Sequence, residues 1–242
     1  MPLAGFRIAG PSMIRVNRSI NETAHRWDQE RWTRTRQAVG PAAFARLQEA
    51  TVAIVGCSRS GTLAATMLAA QGVRRLILID SDVIESHNLD GMILAAANQI
   101  GRPKALTIGR RLVKFLPDLA VTVLARRFGN DEDLRDIDSA ELLVTCVDQD
   151  EPRLRAARMA RQLLVPHLDI ATSVTATEDG RRRIFADVRL LFPGAGCVRC
   201  VGGLADLEQA ESEQQAPVGA LPRRSPVDWN EHGRLGSLIT VN

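Results

Sequence analysis

The sequence predicts an α/β protein whose doubly wound, Rossmann-like, mostly parallel sheet has a mixed antiparallel edge. Short, continuous apolar runs alternate with helical segments, which is typical of parallel strands buried on both faces. Two of these runs end at Gly56 and at Asp80, the type of residue with which a chain leaves a buried strand. A turn signal at Asp179 and Gly180 separates two later runs and predicts the antiparallel edge.

The elements follow in order from residue 51. Residues 52–55 and 76–79 are predicted as buried parallel strands, and a helix over 62–71 that ends at Gly72 joins them. A helix over 104–115 stops before Pro117 because the residue before a proline is biased away from helix. The remaining predictions are strands over 120–124 and 142–147, a helix over 153–164, a buried strand over 166–170, and antiparallel segments over 172–177 and 183–191.

Both ends of the chain differ from this central domain, which we place at residues 31–192. Residues 1–30 lack a sustained hydrophobic period and are predicted as an irregular arm. The polar stretch 21–37, which contains Trp32, is expected to lead into a helix and to stay out of the core. Residues 193–242 are rich in Glu, Gln, Pro and Gly and are predicted as a loop and tail, with the apolar start of a further element at 238–241.

Composition and charge favour an ordinary globular protein. Apolar residues make up 45% and charged residues 24% of the 242 residues, and the formal net charge is +3. Only two of the 31 basic residues are lysines, an arginine bias that indicates codon usage more than a nucleic-acid surface. The basic run 181–183 has no aromatic residues among it and is interpreted as solvated turn charge. We therefore expect no nucleic-acid partner.

The sequence also predicts a cytoplasmic protein that does not associate with membranes. Its N-terminal apolar stretches are interrupted by Arg7, Pro11 and Arg15, and no uncharged apolar run reaches about 18 residues. Four cysteines do not make a disulfide framework in a chain of this size. Cys57 and Cys146 have apolar neighbours and are expected to be inert buried thiols.

A glycine-rich loop follows the first predicted strand. Residues 56–61 form a degenerate G-x-G-x-x-G motif in which Gly56 and Gly61 are kept and Ser58 takes the middle glycine position. A helix follows, so its N-terminal N–H groups favour a bound phosphate. Asp80, 24 residues after Gly56, is placed to accept hydrogen bonds from ribose hydroxyls. These features predict a nucleotide site, and they fit NAD as well as ATP.

Three further blocks are more specific. They are the stretch D-S-D-V-I-E-S-H-N-L over 80–89, the helix start G-R-P-K over 101–104, and the strand end T-C-V-D-Q over 145–149. Over about residues 31–201 this pattern resembles the ThiF/MoeB/HesA family of ubiquitin-activating-type adenylyltransferases. The resemblance implies ATP-dependent adenylation of the C-terminal glycine carboxylate of a ubiquitin-like or sulfur-carrier protein, with Mg²⁺.

The chemistry of that reaction agrees with the side chains present. Lys104 at a helix start is a mobile point charge suited to phosphates. Asp148, after a parallel strand, can reach a Mg²⁺ ion, and Asn88 can bind phosphate or metal-bound water. The expected nucleotide-binding residues are Gly56, Ser58, Arg59, Gly61, Asp80, Asp82, Asn88, Lys104 and Asp148. The simpler interpretations are an exposed helix residue for Lys104 and a helix N-cap for Asp148.

The resemblance also implies a homodimer. Arg31-Trp32-Thr33-Arg34 is similar to an N-terminal R-Y-x-R stretch of the family, whose arginine reaches the nucleotide of the other subunit. This places Arg34 as a third catalytic residue beside Lys104 and Asp148, with Arg36 as its rival. A guanidinium suits that role because it is always charged and grips phosphate with two hydrogen bonds.

Two positions depart from the family pattern. Many members have an arginine two residues after the Asn-Leu pair, where this chain has Gly91, and a glycine where this chain has Arg59. We expect Arg59 to supply from the glycine loop the positive charge that Gly91 lacks, the alternative being that Arg59 projects into solvent. The empty position at Gly91 keeps open a non-catalytic member that binds nucleotide or carrier. The glycine loop and Asp80, which fit NAD as well as ATP, keep open an NAD-dependent oxidoreductase.

Cys197 and Cys200 resemble the first half of the zinc clasp of the family. A structural zinc needs four ligands, and this sequence has no cysteine after Cys200, so zinc binding is left open. No cysteine stands out as a transthiolation residue.

Overall fold

The computed structural model describes residues 5–8, 14–17, 30–129, 131–176, 181–204, 208 and 211–212. In chain order the strands and helices are β1 (Gly5–Ile8), β2 (Ile14–Asn17), α1 (Thr33–Val39), α2 (Pro41–Glu49), β3 (Thr51–Val55), α3 (Arg59–Ala70), β4 (Arg75–Ile79), α4 (Lys104–Phe115), β5 (Ala120–Leu124), α5 (Asp131–Asp136), β6 (Leu142–Thr145), α6 (Asp150–Gln162), β7 (His167–Ala176) and β8 (Arg182–Leu191). Two short 3₁₀ helices, Ser86–Asn88 and Ala97–Gln99, lie between β4 and α4.

A six-stranded sheet in the order β5-β4-β3-β6-β7-β8 organises the described part of the chain. Only β8 runs antiparallel to its neighbour, which confirms the predicted α/β fold with a mixed edge. Val55 at the end of β3 pairs with Ile79 of β4 on one side and with Thr145 of β6 on the other. The carboxyl ends of these three strands are therefore level, and the residues that follow them meet at one edge.

Apolar side chains cover both faces of the sheet, so β3 is buried along its whole length. Val52 and Ile54 belong to the core beneath α3 and α4, whereas Ala53 and Val55 belong to the core beneath α5 and α6. This alternation follows from the two-residue period of a strand. It explains why the sequence shows a continuous apolar run here instead of an alternating one.

Several predicted boundaries are confirmed and others are wrong. Helix α4 and strand β5 have the predicted bounds. The predicted strands over 166–170 and 172–177 are one strand, β7, because β8 pairs along its full length while β6 pairs only with its first three residues. Helix α5 was not predicted from its polar sequence. Helices α3 and α6 each begin three residues before the predicted start, and β6 ends two residues before its predicted end.

The N-terminal predictions are corrected at two places. Strands β1 and β2 pair as an antiparallel two-stranded sheet inside the stretch that was predicted to be irregular. Trp32, which was expected outside the core, is buried beside Phe44, and its indole N–H donates to the Ala70 carbonyl at the end of α3. This bond satisfies a carbonyl that the helix end leaves unpaired.

Residues 193–204 form turns, in agreement with the predicted loop, whereas the apolar element expected at 238–241 lies outside the described residues. The described helices are too short or too polar to cross a lipid bilayer.

Candidate functional site

Both glycines of the glycine loop lie in close contact with neighbouring backbone atoms. Gly56 has φ +92°, and a Cβ atom there would lie 2.6 Å from the carbonyl oxygen of Cys146. At Gly61 a Cβ atom would lie 1.7 Å from the carbonyl oxygen of Gly56. Both positions thus exclude any side chain, which explains why these two glycines of the motif are kept and supports the predicted loop geometry.

Helix α3 begins directly in this loop, earlier than the sequence indicated. Ser58 is its N-cap residue, and the Ser58 side chain makes no capping hydrogen bond. Helix N-termini favour anions because of their N–H groups and the helix dipole. The start of α3 therefore offers the environment that the sequence predicted for a phosphate.

Asp80 directly follows β4, and its carboxylate links the end of β4 to the loop that follows β3. One carboxylate oxygen accepts a hydrogen bond from the Cys57 amide at 2.6 Å, and the other accepts from the Asp82 amide at 2.8 Å. Burial raises the pKa of the Asp80 carboxyl above its ordinary value, although the charge of Lys104 and the two amides act in the opposite direction. Its remaining lone pairs can accept hydrogen bonds from a ligand.

Lys104 is held in place, and neither the mobile nor the exposed side chain considered above is observed. Only 7% of the residue is exposed, and Nζ lies 3.1 Å from Oδ2 of Asp82. The Lys104 amide also donates to the Asp82 carbonyl at 2.8 Å, so the segments on either side of the 3₁₀ helices pair with each other. These contacts place the ammonium group near Asp80.

Asn88 has a structural role that the sequence did not reveal. Its Oδ1 atom accepts a hydrogen bond from the Glu85 amide at 2.9 Å, which caps the 3₁₀ helix Ser86–Asn88. The predicted acceptor function is thus used within the loop, and the side-chain NH₂ group is the part that can serve a ligand.

A shallow, open cleft lies where the connections that follow β3 and β6 go to opposite faces of the sheet. Open α/β sheets bind ligands at such switch points. Asp148 lines this cleft with an exposed side chain, and the helix N-cap considered for it is Gln149 instead. The other lining residues are Ser58, Arg59, Ser60, Cys146, Val147, Ile170 and Thr172. Ser60, Ile170 and Thr172 carried no sequence signal.

The two departures from the family pattern are in direct contact. The Arg59 guanidinium lies against the backbone of Gly91 and forms an ion pair with Asp90, with Nη2 and Oδ2 2.8 Å apart. Only 24% of the Arg59 side chain is exposed, so the alternative of an arginine projecting into solvent is wrong.

Arg34 and Arg36 lie away from this cleft. Both are exposed on α1, beside Trp32, whose contact with Ala70 puts this region at the C-terminal end of α3. The glycine loop is at the other end of that 12-residue helix, which is about 18 Å long. The structure therefore does not bring either arginine to the cleft of its own chain.

A buried polar cluster behind the cleft was missed. Arg153 of α6 donates to Oδ1 and Oδ2 of Asp169 in β7 at 3.0 and 2.5 Å, and to Asp150 at 2.8 Å. Burial acts to raise the pKa of Asp169, but the hydrogen bonds and charge of Arg153 outweigh it and hold the pKa below its ordinary value. An aspartate inside the apolar run 166–170 was the available signal, since a buried charge needs a partner.

Cys197 and Cys200 lie in a turn beyond β8. Their Sγ atoms are 3.7 Å apart, close to the ~3.8 Å between two thiolates on a tetrahedral zinc. Within the described ranges no third Cys, His, Asp or Glu completes a metal-binding group with them. The pair fits half of a zinc site. Cys57 and Cys146 are buried, as predicted.

Comparison with known proteins gives a family match. The model described as "ThiF family" matches residues 32–222. The sulfur carrier protein ThiS adenylyltransferase of Escherichia coli is 36% identical over 104 residues, 43% of this chain and 41% of that protein. The sulfur carrier protein adenylyltransferase of Thermus thermophilus is 27% identical over 181 residues, 73% of this chain and 66% of that protein.

A different activity is named for another relative. The tRNA threonylcarbamoyladenosine dehydratase of Bacillus subtilis is 30% identical over 93 residues, 38% of this chain and 37% of that protein. The matches thus span less than two thirds of each of these three relatives. Among solved structures, E. coli MccB with ATP superposes with a TM-score of 0.57 at 23% identity over 81% of this chain and 56% of the MccB chain. That likeness concerns the fold alone.

Proposed function

The chain belongs to the ThiF family, and on this premise we propose that it uses ATP and Mg²⁺ to adenylate the C-terminal glycine carboxylate of a ubiquitin-like or sulfur-carrier protein. Two of its relatives are named as sulfur carrier protein adenylyltransferases. The observation that carries the proposal is the cleft at the switch point, which is lined by Ser58, Arg59 and Ser60 of the glycine loop and by Asp148. Asp80 follows the neighbouring strand β4 and binds the amide of Cys57 in the same loop. The family match favours this function over the NAD-dependent alternative.

The reaction joins a weak nucleophile to a highly charged electrophile. A carboxylate oxygen of the carrier attacks the α-phosphorus of ATP, the bond to the β-phosphate breaks, and pyrophosphate leaves with the bonding electrons. The product is an acyl-adenylate. The protein must therefore neutralise phosphate charge and hold the two anions together. Helix α3 begins beside the cleft, and Lys104 contributes a fixed positive charge held by Asp82.

Asp80 and Asp148 have different roles in this proposal. Asp80, fixed by two backbone amides, accepts hydrogen bonds from the ribose. Asp148 supplies carboxylate oxygen to Mg²⁺, an ion that proteins usually hold with one or two carboxylates plus the phosphates of the substrate. An exposed carboxylate on the cleft wall suits that coordination. The ion would neutralise phosphate charge.

The test is ATP–pyrophosphate exchange with a panel of small proteins that end in Gly-Gly. Asp148→Ala is expected to reduce exchange by at least about a hundredfold, the order found for removal of a single group that stabilises transition-state charge, while ATP affinity changes by less than about threefold. Asp118→Ala, which removes an exposed carboxylate beyond α4, is the matched control and should leave exchange unchanged. Normal exchange in Asp148→Ala would remove Asp148 from the mechanism.

The same assay separates the alternatives. Carrier proteins without their terminal Gly-Gly should not support exchange if their carboxylate is the nucleophile. ATP binding by the unaltered protein without exchange for any carrier would favour the non-catalytic function. Thermal stabilisation by NAD and not by ATP would favour the oxidoreductase, because a ligand stabilises the state that binds it.

A further inference from the structure

Arg59 is one of the residues that line the cleft. It is the first residue of α3, directly after the Gly56–Ser58 turn, and it lines the cleft together with Asp148 and Ser60. Only 24% of its side-chain surface is exposed, so the side chain lies against the protein and does not extend into solvent. A fixed guanidinium beside a helix N-terminus is a strong partner for a phosphate.

Gly91 provides the space for this arrangement. A Cβ atom at residue 91 would lie 2.2 Å from Nε and 2.4 Å from Cζ of Arg59, closer than atoms can approach without displacement. The backbone of Gly91 is not in the left-handed region, so its conformation does not require glycine. Gly91 therefore leaves the space in which the end of the Arg59 side chain lies, and a side chain at residue 91 would require that flexible end to shift.

Asp90 holds the guanidinium through a weak contact. Nη2 of Arg59 lies 2.8 Å from Oδ2 of Asp90, whose side chain is 71% exposed. Exposed ion pairs contribute little to stability because water and salt screen them. A polyphosphate has more charge than one carboxylate and accepts two parallel hydrogen bonds from arginine. It can therefore displace Asp90 from Arg59.

We propose that Arg59 binds the β- and γ-phosphates of the nucleotide, that Asp90 holds Arg59 over the cleft until the phosphates replace it, and that Gly91 leaves room for Arg59. The inference rests on the proposed nucleotide site and adds to it the residue that distinguishes a triphosphate from a monophosphate. Because Asp90 competes with the phosphates for Arg59 in this proposal, the presence of Asp90 should weaken ATP binding.

Calorimetric titration of ATP and AMP into the full chain tests each part. Arg59→Ala should weaken ATP binding by about ten- to a hundredfold and AMP binding by less than about threefold. Gly91→Ala should weaken ATP binding by less than Arg59→Ala does, because its methyl group shifts the end of the Arg59 side chain without removing the charge. The double variant should be no weaker than Arg59→Ala alone, since both changes act on one interaction.

Asp90→Asn is expected to change ATP affinity in the opposite direction. This variant should fold normally because Asp90 is on the surface. It should strengthen ATP binding by about two- to fivefold, the range expected when a weak competing ion pair is lost. Arg110→Ala, which removes an exposed charge from α4, controls for a general loss of positive charge and should have no effect.

The outcomes distinguish this inference from the function on which it rests. Unchanged ATP affinity in Arg59→Ala, with AMP and ATP both still bound, would overturn the role of Arg59 and leave the adenylation proposal intact. Equal weakening of AMP and ATP would also overturn it, since the outer phosphates would not be the partner. Failure of the unaltered protein to bind any adenine nucleotide would overturn both.

Discussion

His167 shows how a single buried side chain can make stability depend on pH. Its ring is 98% buried, Nε2 lies 2.8 Å from Oγ1 of Thr145, and Nδ1 has no hydrogen-bond partner within the described part of the chain. Burial lowers the pKa of His167 to about 4, with the charge of Asp169 opposing and that of Arg153 adding to the shift. The native state therefore disfavours the imidazolium form.

The sign of the pH dependence follows from this lowered pKa. Between about pH 6.5 and 4 the unfolded chain binds a proton at His167 and the native chain does not, so stability falls as the pH falls through this window. The full effect is on the order of 3 kcal/mol. We expect His167→Gln to show a flatter profile of unfolding free energy in urea between these pH values.

His87→Gln is the control for this prediction, because His87 is exposed and its replacement should leave the slope of the wild-type profile intact. Parallel profiles for the wild type and His167→Gln would contradict the assignment. Asp169 does not confuse the measurement, since its pKa is held below its ordinary value and its contribution is lost only at lower pH.

At the scale of secondary structure, Arg153 fastens helix α6 to strand β7. Arg153 is 97% buried, and its guanidinium divides its hydrogen bonds between Asp169 on the strand and Asp150 in the first turn of the helix. This contact fixes the start of α6, two residues after Asp148. The cleft wall thus depends on a buried ion-pair cluster that does not itself line the cleft.

We expect Arg153→Met to destabilise the protein by about 3–5 kcal/mol, because it removes the guanidinium that binds the buried carboxylates of Asp150 and Asp169. Denaturant unfolding measures the loss. Arg158→Met, an exposed arginine of the same helix, should change stability by less than about 0.5 kcal/mol. Adding Asp169→Asn to Arg153→Met should recover part of the loss, and a double variant as unstable as the sum of the single ones would refute the pairing.

The elements that sequence patterns predicted are those whose stability is local or depends on simple burial. Helix α4 has a clear apolar face and a stop before Pro117, and its bounds agree with the prediction. Helix α5 does not follow such a pattern. Its Asp133 is fully buried because it accepts hydrogen bonds from Arg126 and from the Gly129 amide, and such contacts cannot be read from an acidic sequence.

For the whole molecule, the ends of the strands were enough to predict which residues meet at the edge of the sheet that carries the candidate site. Gly56, Asp80 and Asp148 each follow a recognised apolar run, and parallel strands bring their carboxyl ends to one edge. The sequence predicted that Arg59 supplies the positive charge that Gly91 lacks. It did not predict that the two residues are in contact, because 32 residues separate them in sequence. The pairing of Arg153 with Asp169 joins different elements and left no periodic signal.

Arg34 can act on a nucleotide only from a second subunit, because α1 lies at the far end of α3 from the glycine loop of its own chain. If the expected homodimer forms, Arg34 of one subunit serves the cleft of the other. Mixing inactive Arg34→Ala with inactive Asp148→Ala chains should then restore up to about a quarter of wild-type exchange, since random pairing makes half of the dimers mixed and each has one intact site. Arg36→Ala tests the rival arginine. Confirmed subunit exchange without recovered activity would exclude a role for Arg34 across the interface.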